Sequence, residues 1–120
     1  LQNLDDGINS FRQFDTVFYK GISIDIVYND SLMWFSFEGN PSEEIFNPGV
    51  IYTLPNNIKP KSPWEPMSKY LSNDKSISFR INKNGQISMH ITSVQTGSNV
   101  SFSPADNRAI RAYCCIPYSF

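Results

Sequence analysis

The sequence predicts an all-β fold, an antiparallel β-sandwich or barrel of about seven or eight short strands behind a short N-terminal segment. Three observations carry this. Apolar residues recur at every second position, as in Ile22, Ile24, Ile26 and again in Ile77, Phe79, Ile81, the period of a strand with one buried face. Asn84-Gly85 stands between two such runs, a strong short-range sign of a hairpin. No long helical period follows Phe14. The 120 residues suit a single domain, and a domain of this size buries roughly two-thirds of its unfolded surface.

Taken in order, Leu1, Leu4, Ile8 and Phe11 carry the a/d spacing of a heptad over two units, with Gly7 in its middle and Asp15 where the next core residue would fall. Two readings stand equal: a short amphipathic segment packed on its own domain, or the last turns of an oligomeric stalk. Residues 1–15 are therefore set apart as a neck or stalk remnant, and 16–120 as the sandwich. The opening Leu1 leads us to expect a piece of a longer polypeptide. No charged-then-apolar leader begins it, and no apolar run is long enough to span a membrane.

Ile22 to Tyr28 alternates as a half-buried strand, and Asn29-Asp30-Ser31 is turn material. Leu32 to Phe37 is apolar on both faces, so we expect it covered by its own core and by something else. Six of the eight prolines then fall between Pro41 and Pro66, around one strand-like run at Val50–Leu54. Proline fixes φ and removes a backbone donor, so this stretch is predicted to be extended loop and sheet edge, anchored by Trp64, Met67 and Tyr70. The next hairpin has a definite register. A three-residue loop, Lys83-Asn84-Gly85, sets Ile81 opposite Ile87 and Phe79 opposite Met89, with Gly85 left-handed at its end. A two-residue turn would mix the faces. Gly97-Ser98-Asn99 and Ser103–Asn107 are loops, and Ala109–Ile116 is a closing strand.

The chemistry-bearing residues are few. Ten Lys and Arg oppose eleven Asp and Glu, which provides no basic footprint for a nucleic acid. Cys114 and Cys115 are adjacent, so in a strand they point to opposite faces; two free buried thiols and a reducing compartment are expected. His90 is the sole histidine, and neither zinc spacing nor a glycine-rich phosphate loop is present. We therefore expect no catalytic residues, metal or cofactor. A saccharide surface remains. Sugar C–H faces stack on aromatic rings and hydroxyls need fixed donors and acceptors. Trp64 and Glu65 in the proline loops, Arg80 and His90 as diagonal neighbours on the polar hairpin face, and Asp25 are the candidates. Their bland reading is a loop anchor and a solvated sheet face.

Tyr52-Thr53-Leu54-Pro55, Ile58-Lys59-Pro60, Ile77-Ser78-Phe79-Arg80-Ile81, Asn84-Gly85 and Gln86-Ile87-Ser88-Met89, in that order, resemble the C-terminal tip or head domain of phage tail-fibre and receptor-binding proteins. The similarity is to those of phages of Gram-positive bacteria, most of all the lactococcal siphophage type, and covers residues 50 to 91. The last residues, Ala112 to Phe120, match no motif of that family. The resemblance implies a homotrimer on a neck, a host cell-wall saccharide or phosphosaccharide polymer as partner, and other baseplate or tail proteins as neighbours. It implies a place on the virion after synthesis in the bacterial cytoplasm. Leu1, Leu4, Ile8 and Phe11, with Trp34 and Phe35, would then form the trimer interface. Arg80 would suit a phosphate in the polymer. Two other readings stay open: a trimerisation or protein-docking module, and a glycan-degrading tip that uses paired carboxylates.

Overall fold

Nine strands follow one another among the described residues: β1 (Arg12–Tyr19), β2 (Ile22–Tyr28), β3 (Leu32–Gly39), β4 (Gly49–Thr53), β5 (Lys59–Pro60), β6 (Met67–Leu71), β7 (Lys75–Ile81), β8 (Gln86–Ser93) and β9 (Ile110–Ser119). The computed structural model describes residues 11–61, 63, 67–71 by backbone alone, and 74–119. Leu1, Leu4, Ile8, Trp64 and Glu65 therefore lie outside the described residues. Two antiparallel sheets form, one ordered β1-β2-β3-β9-β5 and the other β4-β8-β7-β6. They face each other across one apolar cluster, so the architecture is a β-sandwich.

Strict alternation builds that cluster. Ile22, Ile24 and Ile26 of β2, Met33, Phe35 and Phe37 of β3, and Ile77, Phe79 and Ile81 of β7 are all buried. Phe37 and Phe79 stack across the sheets, ring centroids 4.1 Å apart and planes 14° from parallel. Phe35 is fully enclosed in this core. It offers no side-chain surface to a neighbouring chain, so of the pair Trp34 and Phe35 expected at an interface only Trp34 reaches the surface.

The β7–β8 hairpin has the register expected of it: Ile81 pairs with Ile87, Phe79 with Met89, Arg80 with Ser88 and Ser78 with His90. Gly85 closes the loop at φ 83°, where a residue with a Cβ would also press on Leu54 at 3.1 Å. The proline-rich stretch contributes edges, as expected, with β4 and β6 flanking one sheet and β5 ending the other. The N-terminal boundary differs from expectation. β1 begins at Arg12 and pairs with β2 along its length, so residues 12–15 belong to the sandwich. Lys20 and Gly21, at φ 48° and 92°, make the tight turn between these strands, the type that matches their twist.

Register shifts occur between Gln13 and Asp15 in β1, Val50 and Tyr52 in β4, and Met67 and Tyr70 in β6. The first turns Asp15 toward the other sheet, where the Tyr52 hydroxyl donates to its Oδ2 at 3.1 Å. Burial, followed by this bond and the charge of Asp15, raises the Tyr52 pKa. Two other ties hold the loops. Ile45 and Phe102 exchange backbone hydrogen bonds at 2.8 Å, and Lys75 meets Asp106 at 2.8 Å with both side chains largely buried.

Candidate functional site

Because inward positions are committed to the core, chemistry is confined to the outward positions of each sheet. On the five-stranded sheet these form rows across four strands. Phe18, Ser23, Glu38 and Arg111 make one row, and Thr16, Asp25, Ser36 and Tyr113 the next. Gln13, Val27, Trp34 and Cys115 make a third, nearest the point where the chain enters β1.

The first two rows enclose two adjoining depressions. One, of about 320 Å³, is lined by Thr16, Phe18, Ser23, Asp25, Ser36 and Glu38. The other, of about 420 Å³, extends from Phe18, Ser23 and Glu38 to Gly21, Asn40 and Arg111. Both are in the size range of small-ligand clefts, though more open than most. Phe18 stands between them with 72% of its surface exposed.

Each carboxylate of this groove is held by one oxygen. Asp25 Oδ1 accepts from Gln13 Nε2 at 2.8 Å and from Thr16 Oγ1 at 2.7 Å. Glu38 Oε1 accepts from the Tyr113 hydroxyl. That bond, reinforced by burial and by the carboxylate's charge and partly opposed by Arg111, raises the Tyr113 pKa. Among the described residues, neither Asp25 Oδ2 nor Glu38 Oε2 accepts a hydrogen bond. The groove thus presents fixed acceptors beside an exposed ring on a rigid sheet. Toward the chain's entry point, Trp34 (40% exposed) and Tyr113 (49% exposed) add two more rings, centroids 6.5 Å apart, with Trp34 Nε1 donating to Ser36 Oγ at 3.0 Å.

The outward face of the other sheet is of a different kind. Cross-strand neighbours there are Ser76 with Thr92, Ser78 with His90, and Arg80 with Ser88. Arg80 and His90 are diagonal neighbours, as expected, and His90 Nε2 lies 3.4 Å from Ser88 Oγ. Asp25 is not with them. It projects from β2, on the opposite side of the shared core, so the set Asp25, Arg80 and His90 cannot converge on one ligand. The alternation that buries Ile24 and Ile26 forces this, and the same alternation around Phe79 and Ile81 turns Arg80 the other way.

Sequence reasoning overlooked Phe18, Glu38, Tyr113 and Arg111 as site residues. Glu38 lies at the outward phase of β3, a signal that was present, whereas Phe18 lies on β1, whose register shift hides its alternation. Tyr113 and Arg111 reach the groove only because β9 pairs with β3 from far along the chain.

The thiols stand on opposite faces and both are free. Cys114 is buried, its pKa pushed up to about 12 by burial and by the neighbouring thiol, whereas Cys115 is only half-buried, on the outer face. A separate apolar cavity of about 90 Å³, lined by Phe14, Tyr28, Met33, Ile58 and Tyr118, is too small and too dry for a polar ring. Among the described residues, no three His, Cys, Asp or Glu side chains are grouped to hold a metal ion. No protein-family model matches the chain, and a search of curated proteins finds no match to it.

Proposed function

We propose that this chain is the head of a phage receptor-binding protein, a non-enzymatic domain that attaches to host cell-wall saccharide. The observation that carries the reading is the groove on the five-stranded sheet, where an exposed ring and two half-satisfied carboxylates occupy a rigid surface. Such a surface holds a sugar by stacking and by charge-assisted hydrogen bonds without needing a moving part. The order of motifs from Tyr52 to Met89 supports the phage assignment, and the β-sandwich is the architecture which that resemblance implies.

The position of the groove agrees with such a role. β1 runs away from Phe11, and Phe18 lies near its far end, about 20 Å along the strand. A neck on the side of Leu1, Leu4, Ile8 and Phe11 would leave the groove distal. Trp34, in the row nearest that neck, is then the natural contact between protomers of a trimer. Weak binding at each site would be multiplied by the copies on a fibre tip and on a particle.

The test is retention of labelled chain on purified walls of Gram-positive hosts, before and after periodate oxidation of the glycan. Attachment that periodate abolishes, with no reducing ends released, is expected. Attachment that survives periodate would overturn the reading in favour of a protein ligand, and steady release of reducing ends would make the domain a glycosidase. Light scattering adds the assembly state, with three times the monomer mass expected. The exposure of Trp34 beside Tyr113 also favours a second reading, a docking module for another tail protein, which a stable complex with a purified baseplate component would support.

A further inference from the structure

We infer that the groove on the five-stranded sheet takes an uncharged glycan, two consecutive pyranose units long, with Phe18 stacked between them and Asp25 and Glu38 accepting their hydroxyls. This rests on the attachment reading and deepens it by naming where the polymer sits and of which class it is.

The length follows from the two depressions, which adjoin through shared walls at Phe18, Ser23 and Glu38. A ligand confined to one would leave half of the exposed ring bare. The class follows from charge. The first depression contains Asp25 and Glu38 and no cationic residue. In the second, Arg111 is the cross-strand neighbour of Glu38 without an ion pair between them, so one cation and one carboxylate leave that depression without a net charge. A phosphate or uronate placed at Asp25 would meet like charge at close range, whereas a neutral sugar brings only hydroxyls. Those hydroxyls can donate to Asp25 Oδ2 and Glu38 Oε2, the oxygens that no described residue engages, and Asn40 can supply both a donor and an acceptor at the far end. Both carboxylates are already anchored through their other oxygen, by Gln13 and Thr16 and by Tyr113. Little side-chain freedom is therefore lost when a sugar binds. The face that carries Arg80 and His90 lies on the other side of the core and shares no residue with this groove.

The experiment is an amide chemical-shift titration of the intact chain with neutral gluco-, galacto- and rhamno-configured di- and trisaccharides, alongside their phosphorylated counterparts. Shifts at Phe18, Ser23, Asp25 and Glu38 are expected with at least one neutral sugar, and the phosphorylated form of that sugar should bind at least tenfold more weakly. Phe18→Ala should weaken binding at least tenfold. Its side chain is largely exposed, so the variant should remain folded, and Glu38→Gln supplies an independent second change that keeps the shape of the groove. Shifts confined to Arg80, Ser88 and His90, stronger binding of the phosphorylated sugars, or unaltered affinity in both variants would overturn the assignment. Periodate-sensitive wall attachment that persists in both variants would overturn the groove and leave the attachment reading standing. Loss of wall attachment by the unaltered chain would overturn both.

Discussion

The two outer faces of this sandwich are built on the same inward pattern and carry opposite chemistry. Behind Phe18, Asp25 and Glu38 lie the buried side chains of β2 and β3; behind Arg80 and His90 lie those of β7 and β8. In each case a large apolar residue at every second position satisfies the core, and folding asks little of the residues between. One face accumulated rings and carboxylates, the other hydroxyls with an arginine and a histidine. The same inward pattern therefore leaves the outward positions open to different chemistry on the two faces.

The comparison breaks most completely if the common core is damaged. Phe79→Ala removes one ring of the Phe37–Phe79 stack and should cost about 3–5 kcal/mol, a large share of the 5–15 kcal/mol typical of a domain. Urea unfolding followed at Trp34 and by amide signals of the β7–β8 hairpin should show both faces lost in one transition; separate midpoints would mean that the sheets are independent units.

Cys114 and Cys115 provide the same comparison within one dipeptide. The unfolded chain's Cys114 thiol ionises near pH 9, while the folded one resists until about 12. Between those values the unfolded state binds fewer protons than the folded state, so stability falls as pH rises, by on the order of 4 kcal/mol at the upper end. Cys114→Ala should flatten that part of a pH–stability curve. At neutral pH iodoacetamide should label Cys115 first, with Cys114 protected until the chain unfolds, as peptide mass mapping would reveal.

Gly21→Ala is expected to act on one face only. A Cβ there would lie 2.5 Å from the Asn40 carbonyl oxygen and 2.6 Å from the Ser42 nitrogen, at φ +92°, costing about 1–3 kcal/mol and shifting the groove wall at Asn40. Thermal melts should record the loss of stability, and neutral-sugar binding should fall while any anion response at Arg80 is unchanged. Smallest in stability are Phe18→Ala and Arg80→Ala, each expected to change unfolding free energy by about 1 kcal/mol or less. Phe18→Ala should remove the neutral-sugar response while Arg80→Ala leaves it intact, and loss of that response in Arg80→Ala would show that the two faces are coupled.

How much could be read beforehand depended on distance along the chain. The β7–β8 hairpin was legible to the residue, because a three-residue loop and a period-two pattern fix register locally. The crowding of prolines foretold the sheet edges. β1 was not legible. Its shift at Gln13/Asp15 breaks the alternation of Arg12–Tyr19, and its turn is Lys20-Gly21, without the Asn or Asp that usually announces such a hairpin. With β1 unread, Phe18 and Thr16 had no face to belong to. The groove also needed β9 beside β3, a pairing that no local pattern announces. Residue type alone marks Asp25 as a candidate, but it does not show that Arg80 and His90 lie on the other sheet.

The register shifts described for β1, β4 and β6 have a consequence for crowding. All three strands are outermost in their sheets, and the fourth outer strand, β5, is only two residues long and ends in Pro60. Among the described residues, no sheet therefore offers a long, flat row of free N–H and C=O groups on which a strand of another molecule could add itself. Many copies of this domain can be packed side by side with little risk of fusing into a continuous cross-β ribbon.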